Sequence, residues 1–153
     1  MNKDPLASMR APVTFVPVDL DRDYPMFEKW WAGHKSLAVP KLILPRGWIA
    51  VGSGVPIAVS FLYVVEGKIA VIEWTTSNPQ CAFSHELIYA VHGLYEYLEQ
   101  KAAEEKCVAI LSFVAPNSHE DRIMQRMGYV CTPDSQPHKM VSKPVVPKET
   151  PCP

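Results

Sequence analysis

The sequence predicts an α/β (α+β) fold: a mixed, mostly antiparallel sheet with helices on both faces. Three observations predict it. β-Prone runs at 47–51, 56–65 and 68–76 follow one another across short turns, Gly52-Ser53-Gly54 and Glu66-Gly67-Lys68, as antiparallel hairpin strands do. A long stretch of helical periodicity then leads to an almost wholly apolar run at 108–114, the order of a parallel β-α-β crossover. A second, aromatic helical pattern near the N-terminus supplies a helix for the other face.

The 153 residues fit one domain with a sizeable core. The chain is 48% hydrophobic and 20% charged with a formal net charge of -1. That balance is ordinary for a soluble globular protein, and it offers neither the basic excess that nucleic acid attracts nor a polybasic run for an anionic membrane. No apolar run approaches the roughly 20 residues that span a bilayer, and residues 1–13 lack the apolar stretch of a secretory signal. Cys81, Cys107, Cys131 and Cys152 form no CxxC pair and find no histidine at zinc-finger spacing. Reduced thiols in a cytoplasmic setting, and no metal, are therefore expected.

Taken in order, residues 1–13 read as a flexible arm, 14–145 as the domain and 146–153 as a disordered tail, because Pro144, Pro147, Pro151 and Pro153 crowd the end. Residues 14–18 are β-prone. Tyr24, Phe27, Trp30 and Trp31 form one helical face over 22–34, with Asp21 or Asp23 as cap, Pro25 in the first turn and Gly33 at the end. Residues 35–45 are ambiguous. The clearest helix carries Leu87, Val91, Leu94, Tyr95, Leu98 and Ala102 on one face. Ser84 is its candidate cap and Lys106 places a positive charge at its end. The 108–114 run reads as a strand covered on both faces. Residues 117–126 form a short helix with Ile123, Met124 and Met127 inward, capped by Asn117 or Ser118. Two last strands, 129–131 and 139–145, are joined by a Pro-bounded loop.

The stretch from Trp74 to Tyr129 resembles the cofactor-binding half of the GNAT (N-acetyltransferase) superfamily, and the likeness extends over about 14–145. Ser77-Asn78-Pro79 sits where the family has Val-x-Pro at the end of its fourth strand. The family pattern N-x-x-A-x-x-L-Y-E-K-x-G-F aligns without a gap onto Asn117 to Tyr129. The resemblance implies that two neighbouring strands splay apart and that acetyl-CoA lies between them, its pyrophosphate on the amides of the following helix. It implies Trp74, Thr75, Thr76, Ser84, His85 and Asn117 as cofactor-binding residues and Glu73 as the catalytic base. The acceptor would be the amine of a small molecule or protein.

The departures from the pattern matter equally. The basic or amide residue of the family's phosphate loop is Ala82 here, and its two glycines are His85 and Leu87, which narrows the approach of a phosphate to backbone. Met124 occupies the place of a frequent proton-donating Tyr and cannot donate. Several residues have two readings. Glu73 is a base or a surface carboxylate; Trp30, Trp31 and Trp48 line an acceptor pocket or fill the core. His85 and His92 lie too far apart for a metal pair. Cys81 is a reactive thiol or a small buried residue. Two functions stay open: an acetyl-CoA-dependent N-acetyltransferase, or a non-catalytic GNAT-like binding or assembly protein of the kind bacteria and phages carry. An exposed edge strand would suit a homodimer.

Overall fold

The computed structural model describes residues 12–81, 84–131 and 139–145. The expected N-terminal arm and Pro-rich tail lie almost wholly outside them, as does the loop between the last two strands. The elements are β1 (Val13–Pro17), α1 (Leu20–Gly33), β2 (Arg46–Gly52), β3 (Val55–Val65), β4 (Ile69–Ser77), α2 (His85–Glu104), β5 (Ala109–Val114), α3 (His119–Arg126), β6 (Val130–Cys131) and β7 (Lys139–Pro144). One-turn 3₁₀ segments at Lys41–Ile43 and Pro79–Cys81 occupy the connections before β2 and α2.

One seven-stranded sheet runs β1-β2-β3-β4-β5-β7-β6. Among the described strands only the β4–β5 pair is parallel, because α2 carries the chain back to the start of the sheet between them. Ser53 and Gly54 both have positive φ (52° and 78°), the paired left-handed geometry of a tight turn whose twist matches its strands.

Side chains alternate along the strands and build a core on each face. On one face Phe27, Trp30 and Trp31 of α1 pack on Ile49, Val59 and Phe61. On the other, Leu94, Tyr95 and Leu98 of α2, with Ile123 and Met124 of α3, pack on Ala50, Ala58, Leu62 and Ile72. Trp30 and Trp31 are thus core, and Trp48 is buried on the α2 side. Leu94 and Leu98 are fully buried, each such burial being worth about 1.5–3 kcal/mol.

Three local expectations are corrected, and the choice of cap for α3 is decided. Helix α1 starts earlier than its aromatic face suggests, because Asp19 is the cap: its carboxylate accepts from the amides of Asp21 (3.0 Å) and Arg22 (3.3 Å). Pro25 therefore falls in the second turn rather than the first, where it forfeits one helical hydrogen bond. Helix α3 is capped by Ser118, whose hydroxyl accepts from the Asp121 amide at 3.0 Å, and Asn117 precedes it with φ 61°. Strand β5 is buried mainly on one side: Ile110, Ser112 and Val114 face the core, whereas Phe113 is 51% exposed. Both α2 and α3 lie over that core face, and α1 covers the β2–β3 half of the opposite one. An apolar run alone does not reveal which of its faces a helix covers.

Candidate functional site

The site forms where β4 and β5 part. They pair from Ile69↔Ala109 to Ile72↔Ser112 and no further, although β4 continues to Ser77 and β5 to Val114. On its other side β4 stays paired with β3 as far as Ser77. The backbone of β4 beyond Ile72 thus has a free edge toward β5.

A bulge lies at the same point. Phe61 faces Glu73 and Val59 faces Thr76, so β4 holds one residue more than β3 between them. Trp74 has φ 58°. The bulge turns two successive side chains to one face. Glu73 shares the α1 face with its cross-strand partner Phe61. Trp74 reaches the same face, where its Nε1–H donates to Tyr63 Oη at 2.9 Å and that hydroxyl donates to the Ile43 carbonyl at 2.7 Å.

Glu73 spans the gap. Its Oε1 accepts from the Phe113 backbone N–H at 2.8 Å, the first β5 amide beyond the paired region. Its pKa is pushed up to about 7. Burial is the main cause and the Glu120 charge adds to it, while the Phe113 and Trp74 amides pull the other way.

On the α2 side the bulge aims Thr75 inward. Ser60 Oγ and Thr75 Oγ1 share a hydrogen bond of 2.9 Å, and Tyr95 Oη lies 3.1 Å from Thr75 Oγ1. Tyr95 also hydrogen-bonds Glu120 of α3. Tyr95 is fully buried; burial, then the neighbouring Glu120 charge, push its phenol well above the ordinary range. Burial raises the Glu120 carboxyl too, against the lowering effect of its bonds to Tyr95 and Thr75.

Beside this network lies a cavity of about 500 Å³ between α2, α3 and the end of β4, within the size range of small-ligand sites. Leu87, Ile88 and Val91 of α2 and Ile123 of α3 make its wall largely apolar, and Thr75, Thr76 and Ser77 form its floor. The end of α1 contributes His34, whose Nε2 lies 2.9 Å from the Ser77 carbonyl. His119 and Glu120 complete the polar lining, which among the described residues contains no lysine or arginine.

Of the sequence-predicted site residues, Thr75 and Thr76 border the cavity. Trp74 lies two residues beyond Ile72, the last β4 residue paired with β5, with its indole on the opposite face. Ser84 caps α2 by accepting from the Leu87 amide at 3.1 Å, so its hydroxyl is engaged in the helix. His85 is exposed and does not line the cavity. Neither does Asn117, whose amide donates to Asp121 Oδ2 at 2.8 Å and whose carbonyl accepts from Arg122. Met124 is fully buried in the core, and Phe83 lies outside the described residues. Sequence reasoning missed three participants: Tyr95 looked like one more apolar-face residue, and His34 like the end of a helix. Glu120 carried a usable signal, since it stands at the alanine of the aligned pattern. Among the described residues no group of three His, Cys, Asp or Glu is placed to hold a metal ion, and no helix is long and apolar enough to cross a membrane.

The groove fits part of acetyl-CoA. The β4 edge that β5 leaves open beyond Ile72 would suit an extended amide-bearing arm, and the apolar cavity would suit a carbon chain. The phosphate end fits less well. Helix α2 begins with Glu86 in its first turn, where negative charge already occupies the positive end of the dipole.

Comparison with solved structures places this architecture. The chain is similar to the ribosomal-protein-S18-alanine N-acetyltransferase of Escherichia coli, with TM-score 0.67 and 11% identity over 88% of this chain and 94% of that one. It is also similar to the aminoglycoside 6'-N-acetyltransferase of Enterococcus faecium, with TM-score 0.66 and 13% identity over 90% and 99%. The protein yncA of Salmonella typhimurium, solved with its cofactor acetyl-CoA, gives TM-score 0.63 and 12% identity over 92% and 97%. No family model matches the sequence, and no curated protein matches it. The chain has the fold of the GNAT N-acetyltransferases. At 11–13% identity to these structures it is a divergent form of that architecture.

Proposed function

We propose that the chain is an acetyl-CoA-dependent N-acetyltransferase acting on a primary amine. One observation carries the reading: β4 parts from β5 after Ile72 and Ser112, with a carboxylate in the gap and an apolar cavity beside it. The cofactor, when bound, supplies an acetyl thioester. The β4 backbone at Trp74, Thr75 and Thr76 would hold its arm along the free edge, while the α2 N-terminus at Ser84 and His85, and Asn117, would meet its more polar parts. Glu73 takes a proton from the acceptor amine, and a carboxylate whose pKa is pushed up to about 7 is matched to that task near neutral pH. Holding both reactants in one gap contributes through proximity. Met124 leaves the departing sulfur without a side-chain acid at that position.

The lack of a lysine or arginine among the described residues of the cavity lining favours a second reading, a non-catalytic module that keeps the fold as a binding surface. An NMR titration with acetyl-CoA separates the two. Saturable shifts at the amides of residues 74–76, 84–86 and 117–119 support the enzyme. Unchanged spectra at millimolar acetyl-CoA overturn it and leave the binding module.

A further inference from the structure

The bulge that opens the gap also places an aromatic side chain at an unusual cost. Trp74 has φ 58°, a region a bulky L-residue enters at a penalty of about 1–3 kcal/mol. Glycine or asparagine would adopt it more cheaply. The strain presents the indole in a particular way. Its N–H is tied down by Tyr63, itself tied to the Ile43 carbonyl. Even so, Trp74 remains 39% exposed, whereas Trp30, Trp31 and Trp48 are 5%, 5% and 7% exposed. The indole is held by its edge and shows surface to solvent.

Its neighbours complete a pattern. Glu73 lies beside it on the same face. Phe113, 51% exposed, begins at the amide that Glu73 accepts from. The groups acting on the Glu73 carboxylate are the Phe113 and Trp74 amides and the Glu120 carboxylate, and none of them is a cation. A carboxylate with no cationic partner among the described residues, flanked by exposed aromatic surface, is complementary to an ammonium group on an apolar body. The charge is met by Glu73 and the indole face, the body by Trp74 and Phe113.

We propose that Glu73, Trp74 and Phe113 form the acceptor subsite, on the α1 face of the gap and across the sheet from the α2–α3 cavity, and that it takes primary ammonium ligands with an apolar or aromatic body. The proposal rests on the acyltransfer reading for its role but not for its binding chemistry. In catalysis the N–H bond of the bound ammonium breaks and an O–H bond forms on Glu73, which leaves the amine lone pair facing the gap.

The test uses the full chain without acetyl-CoA. Because Trp74 is the one tryptophan exposed above 7%, its indole fluorescence and its Nε1–H resonance report on this place. 2-Phenylethylamine should change both saturably. 2-Phenylethanol, similar in shape but uncharged, should not. Glu73→Gln should weaken the amine at least tenfold while retaining the Trp74 signal, and Trp74→Leu should weaken it as measured by the shift of the Phe113 amide. An equal response to amine and alcohol, no response to either, or full affinity in Glu73→Gln overturns the proposal. Amine binding without acetyl-CoA binding removes the acetyltransferase reading and keeps the subsite. Acetyl-CoA binding with an unmoved Trp74 signal does the reverse.

Discussion

Replacing Glu73 by glutamine should make the protein more stable at pH 8 and have a much smaller effect at pH 5. The carboxyl titrates near 4.5 when free and near 7 in the fold, so between those values the folded state holds a proton that the unfolded chain releases. Stability then falls as pH rises through this window, since the native state binds more protons than the unfolded one. Each tenfold change in the proton equilibrium is worth about 1.4 kcal/mol, so the whole move would amount to about 3 kcal/mol. Water reaches part of the Glu73 side chain, and screening reduces the expected loss to about 1–2 kcal/mol. Glutamine is close in shape to the protonated acid, and its carbonyl can still accept from the Phe113 amide. Urea denaturation of both proteins at pH 5 and pH 8 isolates the effect, because most other titrations cancel in the difference. Equal stability at both pH values, or a less stable glutamine variant at pH 8, would refute the reasoning. The carboxylate would then be well solvated or paired with a cation.

Acetyl transfer, followed as thiol release, should rise with pH through about 7 in the wild type and lose that step in Glu73→Gln; a flat wild-type profile would remove Glu73 as base. Tyr95→Phe keeps the ring but strips Glu120 of a hydrogen bond that lowers its pKa. The Glu120 carboxyl should titrate higher by NMR, and the protein should lose about 1–2 kcal/mol in denaturant melts. Leu94→Ala opens the α2 core, where Leu94 is fully buried, and should cost about 2–5 kcal/mol by urea denaturation. Asp19→Ala removes the α1 cap and should cost about 1 kcal/mol, measured in the same way.

Much of the fold was legible because its determinants are local. The apolar stripe of α2 at Leu87, Val91, Leu94 and Leu98 has a helical period whatever lies around it. The turn at Ser53-Gly54 selects a hairpin through backbone preference alone. A short run of strands followed by a crossover helix leaves few topologies, and the observed sheet is among them. The α1 start was less legible because Asp19, Asp21 and Asp23 are all competent caps; geometry decided among them. The exposure of Phe113 was hidden because an apolar run does not say which of its faces a helix covers.

The site divides in the same way. Sequence by itself determined the residue types near the gap, the carboxylate at Glu73, the threonines after it and the side chains at His85 and Leu87 where the resemblance expects glycine, since each is a matter of position along one chain. Only tertiary structure decided that Trp74 turns outward beside Glu73, that Tyr95 joins Thr75 to Glu120, and that His34 reaches the same cavity. These contacts join elements up to 43 residues apart, through a bulge and a strand divergence. Both depend on what β3, β5 and α2 do to β4, and no window of sequence contains all of them.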